Sequence, residues 1–403
     1  MLLGAHLTLM MGIVPAPVPL ALSEALVGVE VTNSDRGRSG FQLQFQVGRS
    51  GPLDLVDFPL MRHPLIRPFN RVVIVVRFNL LPRVLMDGVI TQLTLNPSED
   101  PGASTLTVTG EDVSVMMDLD QVRVPYPAMP DNAIATMIIA KYARYGLVPM
   151  VIPPFAMETP VPTRTVPHQT GTDLDELNRR AGIYSHVFYV EPVTVGVNRA
   201  YWGPPVRTGF PERALSVNMG PASNVTSVNF TYNALAPQMV VDVHQDPESN
   251  VTVPVVAPPV PLQPPLALIP GIVYNGGRVR TSVLTRAQEP VPAADAAAAA
   301  QPAGGGDDPV PVGMSTAGAI ARAQAGVQGA MEQTATASGE LDALQYGEIL
   351  RARSIVGLRG AGATFDGHWY VQSVSHSIKK GEYRQRFTLN REGTHPLLPL
   401  VRP

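Results

Sequence analysis

Residues 367–393 read GHWYVQSVSHSIKKGEYRQRFTLNREG, two strands joined by a tight connection. Tyr383, Gln385, Phe387 and Leu389 alternate with Arg384, Arg386, Thr388 and Asn390, and a period of two sends these sets to opposite faces of a strand. Lys379-Lys380-Gly381-Glu382 turns the chain, with glycine where a positive φ is wanted. A lone pair of strands is marginal in water. The ribbon therefore needs a partner sheet, and residues 349–358 with 215–244 are its expected source.

Outward from the ribbon, the clearest strand is FQLQFQV at 41–47. Phe41, Leu43, Phe45 and Val47 share one face, and Gln42, Gln44 and Gln46 share the other. That second face is polar and uncharged, which fits either an ordinary wet surface or a wall that meets something it must neither hold nor repel. Further strands are expected at 71–81, 83–97 and 104–117, with Asp87-Gly88 and the NPSEDPG run at 96–102 as turns. These make a small antiparallel barrel or sandwich. The apolar start gives a short strand at 7–11, followed by an extended segment around Pro15, Pro17 and Pro19. Those prolines and the missing basic leader argue against a membrane span or export signal.

At 131–146 the period changes to that of a helix. Ile134, Ile138, Tyr142 and Tyr145 share a face, with Asp131 as cap and Gly146 as stop. A second helix starts at Thr172 with Asp175 three residues on and stops at Gly182. Strand-like segments follow, so 131–205 reads as a small α+β unit. Strands resume at Leu215. Residues 254–312 are dominated by Pro, Ala and Gly and are expected to form an extended, partly disordered connector. A helical segment at 313–344 leads back to strands.

Composition narrows the function. Of 403 residues, 16% are charged and 45% hydrophobic, below the roughly 25% charge of average soluble proteins. Either the core is large, or other subunits cover much of the surface. A net charge of -3 and the lack of a basic block remove the footprint of a nucleic-acid binder and of a membrane-surface protein. There is no cysteine, hence neither disulfide nor thiolate metal site, which fits assembly in the cytoplasm.

No catalytic constellation is present in sequence: no G-x-S-x-G, H-E-x-x-H or G-x-x-x-x-G-K-[ST]. GLRGAG at 357–362 lies between strands, as a tight turn does. His368 and His376, placed on one face of one strand, are roughly 26 Å apart at the usual rise and cannot share a metal. Asp173, Asp175 and Glu176 sit in a helix first turn, where they complement the dipole. No enzyme activity, cofactor or metal is expected.

Three segments in order resemble the hub proteins of contractile phage tails and injection systems, the late control protein D family and the hub half of the type VI valine-glycine-repeat spike protein. They are HQTGTDLDELNRRAGIYSHVFYVEP at 168–192, AYWGPP at 200–205 and GEILRARSIVGLRGAGATFDGHWYVQSVSHSIKKGEYRQRFTLNREG at 347–393. The resemblance implies a mainly β chain with an α+β insertion, two tube-like β-barrel domains and a trimeric ring. It implies a structural role in a phage-tail-like particle, with partners in the chain itself as a homotrimer, a spike protein, an inner tube protein and other baseplate components.

On that resemblance the expected divisions are an N-terminal segment at 1–22, a first barrel at 23–125, the insertion at 126–210 and a second barrel from 211–253 with 345–395. The connector at 254–312 and the helical segment at 313–344 complete them. Gln42, Gln44 and Gln46 become a candidate lumen or ring-contact face. Trp369, Val371, Val374, His376, Tyr383, Phe387 and Leu389 become the candidate barrel-closing ribbon. Covered area on the order of thousands of Å² per chain would match the scarcity of charge. Two other classes remain as alternatives: a cell-wall hydrolase, which needs a Glu or Cys-His site the chain does not display, and a monomeric β-sandwich adhesin or binding protein.

Overall fold

The computed structural model describes residues 5–47, 59–78, 81–99, 103–155, 157, 159–163, 166–246, 251–271, 279–283 and 316–397. The first half contains β1 (Ala5–Gly12), β2 (Ala16–Pro17), the helix α1 (Leu20–Ala25), β3 (Leu26–Ser34), β4 (Gly40–Val47), β5 (Arg71–Phe78), β6 (Leu81–Asn96) and β7 (Ser104–Asp112). β4 is the alternating strand, and Phe41, Leu43, Phe45 and Val47 are buried against Val29, Val31, Leu106 and Val108. Each such side chain contributes roughly 1.5–3 kcal/mol of transfer free energy. The proline segment carries the extended β2, and α1 follows directly after Pro19 as one short helix whose Leu22 enters the same core.

Asp87-Gly88 is not a turn. β6 runs straight through it, paired with both β5 and β7. A Cβ on Gly88 would lie 2.2 Å from the carbonyl oxygen of Glu111, so glycine serves a close strand approach. Asp87 is buried and accepts hydrogen bonds from Arg71 at 2.6 and 2.8 Å and from Asn198 at 3.2 Å.

The insertion holds β8 (Gln121–Pro125), α2 (Asp131–Ala140), β9 (Leu147–Val151), β10 (His168–Thr172), α3 (Asp173–Ile183), β11 (Val187–Thr194) and β12 (Val197–Gly203). β8 pairs with β10, while β11, β12 and β9 form a second small sheet. Thr172 and Asp175 make the expected reciprocal cap of α3. The helix continues past Gly182 to Ile183. Asp131 does not cap α2, which starts after Pro130 without a side-chain bond. Its carboxylate instead accepts from Arg180 and, at 2.7 Å, from Tyr184, which ties α2 to α3.

The remainder comprises β13 (Glu212–Ser216), β14 (Ser227–Tyr232), β15 (Met239–Gln245), β16 (Thr252–Ala257), β17 (Ala267–Pro270), β18 (Val279–Val283), α4 (Thr316–Glu332), β19 (Ala335–Asp342), α5 (Ala343–Tyr346), β20 (Ile355–Arg359), β21 (Gly367–Lys379), β22 (Glu382–Arg391) and β23 (Gly393–Pro396). The supposed connector thus carries strands. Pro254 is tolerated because, among the described residues, β16 pairs with β15 alone and forms a sheet edge. β17 pairs with β23, and residues 272–278 and 284–312 lie outside the described residues. In the segment expected to be helical, α4 ends at Glu332 and the chain then enters β19. β15 pairs with β16 and β18 rather than joining the ribbon's sheet, and β15 and β16 pack on α4 through Val240, Val255, Ala257, Val327 and Met331.

Among the described residues, thirteen strands form one sheet, in the order β14-β19-β22-β21-β3-β4-β7-β6-β5-β1-β2, with β20 and β13 branching from β21. Its path is open: β2 and β14 end it, and no ladder among the described residues closes either half into the barrel the resemblance implied. The ribbon does more than complete its own half. β21 pairs antiparallel with β3 through Ser373–Lys379 and Gly28–Ser34, so the two halves share one sheet. A register shift between Val371 and Ser373 also corrects the histidine geometry. The extra residue reverses the alternation, leaving His376 buried with the core and His368 half-buried on the other side.

Candidate assembly surface

The sheet presents one continuous polar face. Gln42 and Gln46 are exposed and Gln44 is half-buried. Gln42 lies between Glu30 and Thr109, Gln44 between Gly28 and Thr107, and Gln46 beside Thr105. One strand further are Gln92, Thr94 and Asn96. Across the join the same face continues through Ser373, Ser375 and Ser377 to Thr388, Arg386 and Arg384. The neutral rows expected from β4 therefore extend over β7 and the end of β6, bordered by Glu30 and Glu111 in the first half, and arginines enter in the second. There Glu340 accepts from Arg384 at 2.8 Å and Arg386 at 2.9 Å, and these bonds, Arg386 first, hold its carboxyl below the usual range.

The seven ribbon residues lie on the opposite, buried face. Trp369, Val371, Val374, Phe387 and Leu389 join one core, and Tyr383 reaches the core of the first half. Tyr383 Oη lies 3.0 Å from His376 Nδ1. Burial pushes the His376 pKa down to about 4, so the ring stays neutral. Arg391 closes the ribbon: its guanidinium sits 4.3 Å over the Trp369 ring and donates to the carbonyls of Thr364, Asp366 and Gly393.

A buried charged junction links the two halves with the insertion. Arg353 donates to Ser34 O at 3.0 Å and to Ser39 Oγ at 2.9 Å, and stacks 4.0 Å over the Tyr189 ring of the insertion. Arg207 donates to Glu392 at 2.8 Å and lies 3.4 Å from Glu332. Glu332 also accepts from Arg36 at 2.9 Å and from Gln328 at 3.1 Å. The backbone amides of Leu266 and Ala267 donate to Glu392. Asp35, almost wholly buried beside Arg36 and Arg353, has its carboxyl raised to about 6, chiefly by desolvation.

No protein-family model matches the chain, and no curated protein does. Solved structures do. A tail protein from Neisseria meningitidis MC58 superposes with a TM-score of 0.61 over 96% of this chain and 97% of its own, at 11% identity. The 43 kDa tail protein of prophage MuSo2 from Shewanella oneidensis gives 0.60 over 96% and 99%, at 12% identity. The chain has the fold of phage tail proteins. A type VI secretion component from E. coli, described as structurally similar to the T4 tail proteins gp27 and gp5, gives 0.51 over 94% and 78%, at 11% identity.

Within this tail-protein fold, sequence reasoning found the Gln face and the ribbon because alternation is written locally. It missed Asp35, Arg207, Glu332, Arg353 and Glu392. The one signal they offered is charge in a chain that has little of it. Among the described residues, no group of three or more His, Cys, Asp or Glu is placed to hold a metal, and no helix is long and apolar enough to cross a membrane.

Proposed function

We propose that the chain is the structural hub of a contractile-tail-like baseplate, a homotrimer that adapts a three-fold spike to a six-fold inner tube. The observation that carries this reading is the join of β3 to β21. It sets two strand-built halves side by side in one sheet, so three copies around an axis would offer six strand-built units to a six-fold partner. The likeness to tail proteins supports the setting, and the uncharged Gln, Thr and Asn rows support a lumen wall for the first half. The role is mechanical, with spike, inner tube and further baseplate proteins as partners.

Light scattering on the purified 43.1 kDa chain tests the reading. Three times the chain mass, and co-purification with spike or tube protein after co-expression, is the expected result. A monomer that captures neither at tens of micromolar overturns it.

A further inference from the structure

Buried hydrogen-bonding atoms without partners collect at the charged junction. Asp35 Oδ1, Tyr370 Oη, Asn390 Oδ1, Arg207 Nε and Arg207 Nη2 are shielded from solvent, and none completes a hydrogen bond among the described residues. The four residues that carry them are at most 4% exposed. Tyr370 and Asn390 are ladder partners across β21 and β22, and Tyr370 approaches Asp35 without bonding to it. Arg207 Nη2 stands 3.4 Å from Glu332 and likewise forms no hydrogen bond. Glu332 links the two ends of the group, since it accepts from Arg36, the neighbour of Asp35, and faces Arg207. A buried polar group left unpaired costs about 1–3 kcal/mol, and native interiors satisfy such groups with ordered water.

Charge restricts what else could sit there. Asp35, Glu332 and Glu392 are balanced by Arg36, Arg207 and Arg353. An added ion of either sign would be buried without compensation, and among the described residues no group of three His, Cys, Asp or Glu is placed to hold a metal. The unmet bonds are also of both kinds. Arg207 Nε and Nη2 only donate, the Asp35 carboxylate only accepts, and the Tyr370 hydroxyl does either. A small neutral molecule that donates and accepts at once meets all of these needs. Water does so with about three bonds apiece, so the group calls for about two molecules.

We propose that the junction is an internal hydration site, where about two water molecules bridge Arg207 and Glu332 to Asp35, Tyr370 and Asn390. The first half supplies Asp35, the ribbon Tyr370 and Asn390, α4 Glu332, and the segment after β12 Arg207. Four pieces of the fold are then fitted together through shared solvent as well as through direct ion pairs.

Diffraction from crystals of the full chain, to a resolution that shows ordered solvent, tests the site. Solvent peaks are expected within hydrogen-bond reach of Arg207 Nε and Tyr370 Oη, shared with Asp35 or Glu332. Direct pairing of these atoms with one another, a dry gap, or an ion identified there by anomalous scattering overturns the proposal. In solution, oxygen-17 relaxation dispersion counts waters that stay longer than the protein takes to tumble. Tyr370→Phe should lower that count by one with an unchanged circular dichroism spectrum. Tyr142→Phe, whose hydroxyl bonds directly to Asp173 at 3.0 Å, should leave it unchanged. A count that holds in Tyr370→Phe, or falls equally in both variants, also overturns it.

Discussion

The hydroxyls of Thr32 and Ser375 lie 2.8 Å apart although 343 positions separate them in sequence. They sit in the ladder between β3 and β21, which makes the two halves one cooperative unit. Amide exchange should therefore give the same opening free energy for both strands. Separate values would show that the halves open independently. Ser375→Ala should cost under about 1 kcal/mol, since the pair is exposed. Ser375→Pro, inside a central strand, should prevent folding.

Arg207 is the cation shared by Glu332 and Glu392, and all three side chains are almost fully buried. Arg207→Met strands both carboxylates without it and should cost about 3–5 kcal/mol in urea unfolding. Glu392→Gln, which retains an acceptor for the Leu266 and Ala267 amides, should cost less. Equal losses in the two variants would contradict the assignment.

Two buried groups give opposite dependences on pH. His376 titrates near 6.5 when unfolded and about 4 when folded. Below 6.5 the unfolded chain binds a proton that the folded chain refuses. Stability contributed by this group falls from pH 6.5 to 4, by on the order of 3 kcal/mol. Asp35 has a folded value of about 6 against 3.8 unfolded, so its contribution is lost as pH rises through that window. In urea titrations from pH 4 to 7, His376→Gln should lessen the acid loss, and Asp35→Asn should gain stability at pH 7 relative to pH 4. Wild-type profiles in both variants would remove these groups from the account.

Gly88 and Gly110 face each other's strands where β6 crosses β7. Added Cβ atoms would meet Glu111 O at 2.2 Å in the first case and the Phe41 ring at 2.2 Å in the second. Gly88→Ala meets backbone, which cannot step aside, and should cost several times the roughly 0.5–1 kcal/mol that alanine normally gains over glycine. A neutral or stabilising result by thermal unfolding would mean that the two strands can part.

What the sequence displayed was whatever is encoded within ten or so residues. The alternation of 41–47, the Thr172 cap and the Gly381 turn, with φ of 82°, all formed as read. The failures share a cause. Asp87-Gly88 carries a turn's local chemistry, but its geometry is set by Glu111 and Arg71 from other strands. The bulge at 371–373 depends on pairing with β22, and no residue there announces it. The fusion of β3 with β21, and the junction at Asp35, join segments from opposite ends of the chain, where no periodicity can signal contact.

The same fusion bears on synthesis. While the ribosome is still adding residues short of Gly367, β3 has β4 on one flank and nothing on the other, so the nascent protein carries a raw seam through most of its translation. Only after Lys379 has cleared the exit tunnel can that seam be sealed. A truncated product therefore remains visibly unfinished to chaperones and proteases, with the edge of β3 still open to other strands.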